Sequence, residues 1–247
     1  MLDRLVDLML NCRNCVVLTG AGISAESGVP TFRGKEGLWG KFRPEELATM
    51  EAFVANPKIV WEWYNWRRTL MGDVKPNPGH YALTELEKLA ENFNLITQNV
   101  DGLHRMAGTE EILELHGNIH HNKCVTCNAQ FDEEDIDPDD IPTCPVCGGK
   151  IRPDVVWFGE MLDEEIIREA YHRSEQADIF LTVGTSAVIH PAASLPVVAK
   201  QYQATLVEIN PEPTPLTDLA DFSFTAKSGE FLPELVNRLK ETLASRS

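Results

Sequence analysis

A short run of residues suited to burial on both faces, Cys15-Val16-Val17-Leu18-Thr19, leads straight into Gly20-Ala21-Gly22-Ile23-Ser24-Ala25. A strand of this kind belongs inside a sheet that is covered on both sides, and the small residues after it make it turn sharply into a helix. G-x-G-x-x-A in that position fits the dinucleotide fingerprint. The first glycine permits the tight turn, and the second lets backbone N–H groups approach a pyrophosphate. A tight turn that merely needs small residues gives the same string, so the junction alone leaves both readings open.

The rest of the chain alternates in the same way. Further strand-like runs are Asn94–Thr97, Ile112–Leu115, Ile179–Val183, Thr205–Ile209 and Phe222–Thr225. Helical stretches are expected at Leu2–Leu10, Pro44–Ala55, Pro57–Met71, Gly79–Ala90, Asp163–Gln176, Pro191–Tyr202 and Glu230–Ala244. Strands alternating with helices give a parallel sheet with helices on both faces. The predicted fold class is therefore α/β, a doubly wound parallel sheet with a smaller module built from inserted segments. One unit spans 1–247. Its large part is expected from 1–27, 79–122 and 153–247, and its small part from 28–78 and 123–152.

Charge removes some functions. With 38 acidic residues against 22 Lys plus Arg, the formal net charge is −16. That argues against direct nucleic-acid binding, which needs a basic face to displace phosphate counterions. The longest stretch without a charged residue, Ile179–Ala199, contains Gly184, His190, Pro191 and Pro196, a poor lipid-facing helix. Leu2–Leu10 lacks the apolar core of a signal peptide. The expectation is a cytoplasmic protein without membrane partners.

In that compartment cysteines are metal ligands or thiols more often than disulfides. Cys124-x-x-Cys127 and Cys144-x-x-Cys147, sixteen residues apart, have the spacing of a Cys₄ zinc ribbon. Four protein ligands close the coordination sphere, so the ion is structural and activates no water. Cys12 and Cys15 have no second pair nearby and read as packing residues. The acid run Asp132–Asp140 reads as a solvated loop, with a steering role for basic protein substrates as the functional alternative.

After the glycine turn, Ser27-Gly28-Val29-Pro30-Thr31-Phe32-Arg33-Gly34 reads as a loop rather than a helix entering a second strand. Glu36 stands near the place of a ribose-binding acid but follows no strand. This disfavours a dehydrogenase using NAD as a hydride carrier. A long loop beside a cofactor site is often a lid. A non-catalytic zinc-ribbon scaffold is disfavoured because it would not need the polar set Gln98, Asn99, Asp101 and His116.

These motifs, with Thr97-Gln98-Asn99-Val100-Asp101, His116-Gly117, Phe158-Gly159-Glu160 and Gly184-Thr185-Ser186 in this order, resemble the sirtuins, NAD-dependent protein-lysine deacylases, across nearly the whole chain. Thr31 stands where many members have Asp, Val100 where Ile is commoner, and Ala187–His190 varies a usually more apolar run. The resemblance implies a Rossmann-like doubly wound large domain with a smaller inserted zinc-ribbon and helical module, NAD as co-substrate, one structural zinc and acylated lysine-containing proteins or peptides as partners. It places Gly20, Ala21, Gly22, Ser24, Gly184, Thr185, Ser186, Asn210 and Ser228 along the dinucleotide, and Phe32 and Arg33 in a mobile loop. Gln98, Asn99 and Asp101 would surround the nicotinamide ribose, with Asn99 and Asp101 also acting in catalysis. Val156, Trp157 and Phe158 would form the substrate strand and tunnel.

In the mechanism that the resemblance implies, the acyl oxygen attacks the anomeric carbon and expels nicotinamide. His116 then deprotonates a ribose hydroxyl. The products are free lysine, nicotinamide and O-acyl-ADP-ribose. His116, directly after the Ile112–Leu115 strand, is expected exposed at the carboxyl edge of the sheet, where ligands bind in open α/β folds. Its reference pKa of about 6.5 suits a general base.

Tyr64 and Arg67, three apart on an expected helix, share a face and can bind a carboxylate with a guanidinium fork and a phenol. In sirtuins such a Tyr-x-x-Arg pair marks the subgroup that removes succinyl and malonyl groups. A packed Tyr64 with a solvated Arg67 is the structural alternative. Plain deacetylation and transfer of ADP-ribose to protein are the alternatives within the family.

Overall fold

The computed structural model describes residues 1–31, 43–133 and 141–246. Phe32, Arg33, Glu36 and the acid run beyond Glu133 lie outside them. Six parallel strands form the main sheet: β1 (Asn14–Thr19), β2 (Asn92–Thr97), β3 (Ile112–Glu114), β7 (Ile179–Val183), β8 (Thr205–Ile209) and β9 (Phe222–Phe224). A smaller antiparallel sheet is built from β4 (Gly117–Cys124), β5 (Gln130–Asp132) and β6 (Ile151–Val155), in the order β5-β4-β6.

The main sheet runs β3-β2-β1-β7-β8-β9. Successive strands therefore move outward one way from β1 and the other way from β7, and the topological switch lies between those two. Ligand crevices open at that point in doubly wound sheets, outside the carboxyl ends of the strands.

Burial explains why β1 is apolar at consecutive positions. Val17 packs with Leu95, Leu181 and Val207 against helices Leu2–Asn11, Pro78–Leu89 and Ser228–Arg246, which contribute Leu5, Leu83 and Leu235. Val16 and Leu18 face the opposite layer, where Ala170 of Glu164–Gln176 and Leu195 of Leu195–Gln201 close the core. Both faces are covered, as β1 requires. Cys15 sits in the first of these cores, with its thiol pushed well up by burial. Half-buried Cys12 is pushed up to about 11, chiefly by the same cause. Both are packing thiols far from ionisation at neutral pH.

A third core joins helices Met50–Ala55 and Pro57–Met71 to the small sheet through Phe53, Val60, Trp61, Tyr64, Ile119, Ile151 and Trp157. The expected helix Pro44–Ala55 is two pieces, Pro44–Leu47 and Met50–Ala55. Thr49 starts the second by accepting a hydrogen bond from the Ala52 N–H at 3.1 Å. The expected Pro191–Tyr202 helix begins as a 3₁₀ turn, Ala192–Ser194, before Leu195–Gln201. Among the described residues no helix is long and apolar enough to cross a membrane.

His80, fully buried at the start of helix Pro78–Leu89, gives a stability prediction. Burial pushes its pKa down to about 4. The unfolded chain, titrating near about 6.5, then binds the proton more readily than the fold. This contribution to stability is present above about pH 6.5 and is lost as pH falls toward 4, a swing of about 3 kcal/mol. Urea unfolding at pH 7 and pH 4.5 should show this slope, and His80→Gln should flatten it. An unchanged slope in that variant would remove His80 as the cause.

Candidate active site

At the switch point the glycines are required by the packing of two loops. The Gly20 N–H donates to the Val183 carbonyl at 3.1 Å, and the Gly22 N–H to the Gly184 carbonyl at 2.8 Å. A Cβ on Gly22 would stand 2.7 Å from Gly184, and one on Gly184 would stand 2.4 Å from the Ile23 nitrogen. Gly184 also holds a left-handed φ of 58°. The sequence reading assigned the second glycine to pyrophosphate approach. Its first constraint is the interlock of the β1 and β7 ends.

That interlock exposes backbone at the floor of a cavity of about 800 Å³, within the size range of ligand pockets. Gly20, Ala21, Gly22, Gly184, Thr185, Ser186 and Asn210 line one part of it. Gln98, Asn99, His116, Tyr64 and Arg67 line it too, as do Val156, Trp157 and Phe158, which follow the end of β6 at Val155 rather than forming a strand themselves.

The polar groups after β2 are held from behind. The Asn99 side-chain amide donates to the Gly20 carbonyl and to Ser24 Oγ, both at 3.1 Å, and the Asn99 N–H donates to Thr97 Oγ1. Gln98 Nε2 donates to Thr185 Oγ1 at 2.9 Å, tying β2 to β7. Asp101 accepts from the Leu103 N–H at 3.0 Å, and burial pushes its carboxyl above the usual range. Ser24 and Asp101 thus stand behind the cavity wall.

Ser228 is not brought to the cavity. Its hydroxyl donates to Glu26 at 2.9 Å, the carboxylate that also accepts from the Gly229 N–H at the start of the last helix.

His116 is half-buried rather than exposed. Its Nδ1 lies 2.9 Å from the Gln98 carbonyl, which can only accept, so Nδ1 carries the hydrogen. Nε2 is left with its lone pair. Burial lowers the pKa below its ordinary value, with the Gln98 bond opposing. At neutral pH the ring is therefore a neutral base in a defined tautomer. Gly117 follows with φ 76°, and a Cβ there would strike the Asp154 carbonyl at 2.1 Å. This lets the chain leave β3 and enter the small sheet.

Tyr64 and Arg67 are both buried, which corrects the alternative of a solvated Arg67. The Arg67 guanidinium lies 5.0 Å from the Trp63 ring centroid and 5.8 Å from that of Tyr64. Burial lowers its pKa from the usual arginine value, with Tyr64 and Asp101 opposing. Trp63, Val100, Leu162 and Ile189 are among the further lining residues and were given no site role from sequence. Trp63 adjoins Tyr64 in an aromatic helix, and Ile189 closely follows Gly184-Thr185-Ser186, so proximity to the motifs was the available signal.

The Sγ atoms of Cys124, Cys127, Cys144 and Cys147 lie within 4.8 Å of one another, two pairs of them at 3.5 and 3.7 Å. A tetrahedral zinc thiolate site with bonds near 2.3 Å has sulfur–sulfur edges of about 3.8 Å, so the set fits one Zn²⁺. None of the four lines the cavity. His120 and His121 bond to Glu133 and Asp132 instead.

A doubly wound sheet with a nucleotide-sized crevice at its switch point and a closed four-cysteine zinc module defines a class of nucleotide-binding α/β protein. The family model described as Sir2 family matches residues 20–191, and the chain belongs to that family. It is 53% identical over 234 residues to an NAD-dependent protein deacylase of Aquifex aeolicus, covering 94% of this chain and 98% of that one. It is 49% identical to one of Pyrococcus abyssi, covering 98% and 100%. Among solved structures it resembles a Sir2 homologue–NAD complex, with TM-score 0.92, 46% identity and coverage of 98% and 94%. It also resembles a Sir2–p53 peptide–NAD⁺ complex, with TM-score 0.83, 32% identity and coverage of 99% and 99%.

Proposed function

We propose that this chain is an NAD-dependent protein-lysine deacylase that accepts succinyl and malonyl as well as acetyl groups. The observation that carries the reading is one continuous cavity that joins the glycine interlock, the unprotonated Nε2 side of His116 and the buried Tyr64–Arg67 pair.

NAD, when bound, supplies the anomeric carbon that takes the acyl oxygen as nicotinamide leaves. Gly20–Gly22 and Gly184–Ser186 hold the dinucleotide, with Asn210 beside them. Gln98 and Asn99, fixed to Thr185 and Gly20, orient the ribose end. His116 takes the proton from a ribose hydroxyl at Nε2, and the Gln98 carbonyl stabilises the charge that develops on the ring through Nδ1. Val156, whose N–H donates to the His116 carbonyl at 2.9 Å, keeps the substrate wall in register with the base. Buried walls exclude water from the reacting carbon.

Arg67 and Tyr64 offer donors at the end of the acyl channel. A guanidinium fork beside a phenol can receive the carboxylate of a dicarboxylic acyl group through charge-assisted hydrogen bonds. Incubation with NAD and matched acetyl-, malonyl- and succinyl-lysine peptides, scored for nicotinamide and deacylated peptide, tests the reading. Arg67→Met should lower kcat/KM for the succinyl peptide about a hundredfold, as loss of a charge-assisted contact does. Acetyl activity should stay within a few-fold. An equal fall in both, or no change in either, would defeat the acidic-acyl assignment.

A further inference from the structure

The far end of the cavity holds a hydrogen bond whose direction is decided by chemistry. Trp157 Nε1 lies 2.8 Å from Tyr64 Oη. An indole N–H donates and cannot accept, so the phenol oxygen is the acceptor here and its own hydrogen must point elsewhere. Tyr64 is 1% exposed and meets Trp63 edge-on with centroids 4.7 Å apart, so its ring is held in place. Among the described residues no acceptor lies within bonding distance of that hydroxyl hydrogen.

Trp157 is held as firmly. The Arg152 guanidinium lies over its ring, 3.3 Å from the centroid, and pairs with Glu160. Glu160 also accepts the Trp157 backbone N–H at 2.8 Å. A cation over an indole face withdraws electron density and strengthens the N–H as a donor.

We propose that Trp157 is a specificity-determining positioning residue whose indole N–H fixes the Tyr64 phenol as a hydrogen-bond donor toward the acyl pocket. Tyr64 and Arg67 then present donors only. An acyl chain ending in a carboxylate satisfies both, whereas one ending in an ammonium or amide N–H meets no acceptor from this pair. This rests on the acidic-acyl reading above and adds the residue that sets the polarity of the site.

The test is a double-mutant cycle on the ratio of kcat/KM for succinyl- over acetyl-lysine peptides of one sequence. The cycle compares the intact enzyme, Trp157→Phe, Tyr64→Phe and the double variant. Trp157→Phe should lower the ratio about tenfold, mainly through KM for the succinyl peptide, the size expected for one misdirected hydrogen bond to a charge. In the Tyr64→Phe background the same change should move the ratio less than twofold. A full drop in both backgrounds would assign the effect to packing and overturn the proposal, as would no drop in the first.

If Arg67→Met also leaves the ratio unchanged, the acidic-acyl reading itself has failed. If Arg67→Met lowers it and Trp157→Phe does not, only the role of the indole falls. Trp157→Met serves as a second variant where Phe packs badly. A measurement needing no Trp157 variant is the nitrogen-labelled tryptophan NMR spectrum, in which one of five indole resonances should move upfield in Tyr64→Phe. Five unmoved resonances would deny the bond.

Discussion

His116→Ala is expected to lower kcat/KM for deacylation by roughly 10²–10⁴-fold, the usual contribution of a positioned general base, while NAD affinity stays within a few-fold. The Gln98 carbonyl fixes the Nδ1–H tautomer, so a single lone pair faces the cavity, and alanine leaves no substitute. The pH dependence follows with a definite sign. With His116 as the proposed base, the active form is unprotonated, so activity is expected above the His116 pKa and should be lost as pH falls through it. Burial depresses that pKa, which puts the acid limb of kcat/KM below the ordinary imidazole value of about 6.5. A pH–rate profile and an NMR titration of the His116 ring in the free protein check this together. More than a tenth of wild-type turnover in the alanine variant, or a ring titrating above about 6.5, would remove His116 as the base.

Loss of the metal should be the larger effect on the fold. Structural Zn²⁺ in zinc-finger peptides contributes about 10–16 kcal/mol, comparable with the whole stability of a domain at about 5–15 kcal/mol. Cys124 and Cys144 are buried in the same core as Phe53, Trp61, Tyr64 and Trp157. Cys144→Ala, or removal of the ion by a strong chelator, should therefore unfold the small sheet and take the acyl end of the cavity with it. The expected readouts are one equivalent of zinc per chain in the intact protein, none in Cys144→Ala, and loss of deacylation in both treated forms. Since none of the four cysteines lines the cavity, the loss should track unfolding seen in tryptophan fluorescence. Retained zinc with an unchanged melting temperature in Cys144→Ala would refute the closed site.

Sequence alone determined a good deal here, for identifiable reasons. Strands β7 and β8 have the expected bounds because a strand buried on both faces reads as a largely apolar run, broken here only by Thr182, Thr205 and Glu208. The cysteine spacing announced a metal site because two C-x-x-C turns leave few other uses for four thiols. The polar run after β2 was legible through its resemblance to a family motif. Strands β4 and β6 were not read, since Gly117–Cys124 is half polar and pairs across a long insertion, where neither period nor propensity speaks. The break at Ala48–Thr49 was hidden because capping competes locally with helix continuation.

Only the tertiary structure decided how the pieces act on one another. The glycines of two distant loops interlock because β1 and β7 are neighbours at the switch point, a pairing across 160-odd residues of chain. Tyr64 and Trp157 are 93 residues apart in the chain, and their contact settles which partner donates. Residue types dictate the chemistry that is available. Hydrogen-bond direction, burial and the protonation state that follow depend on which side chains the packed core brings within 3 Å, and that information is non-local.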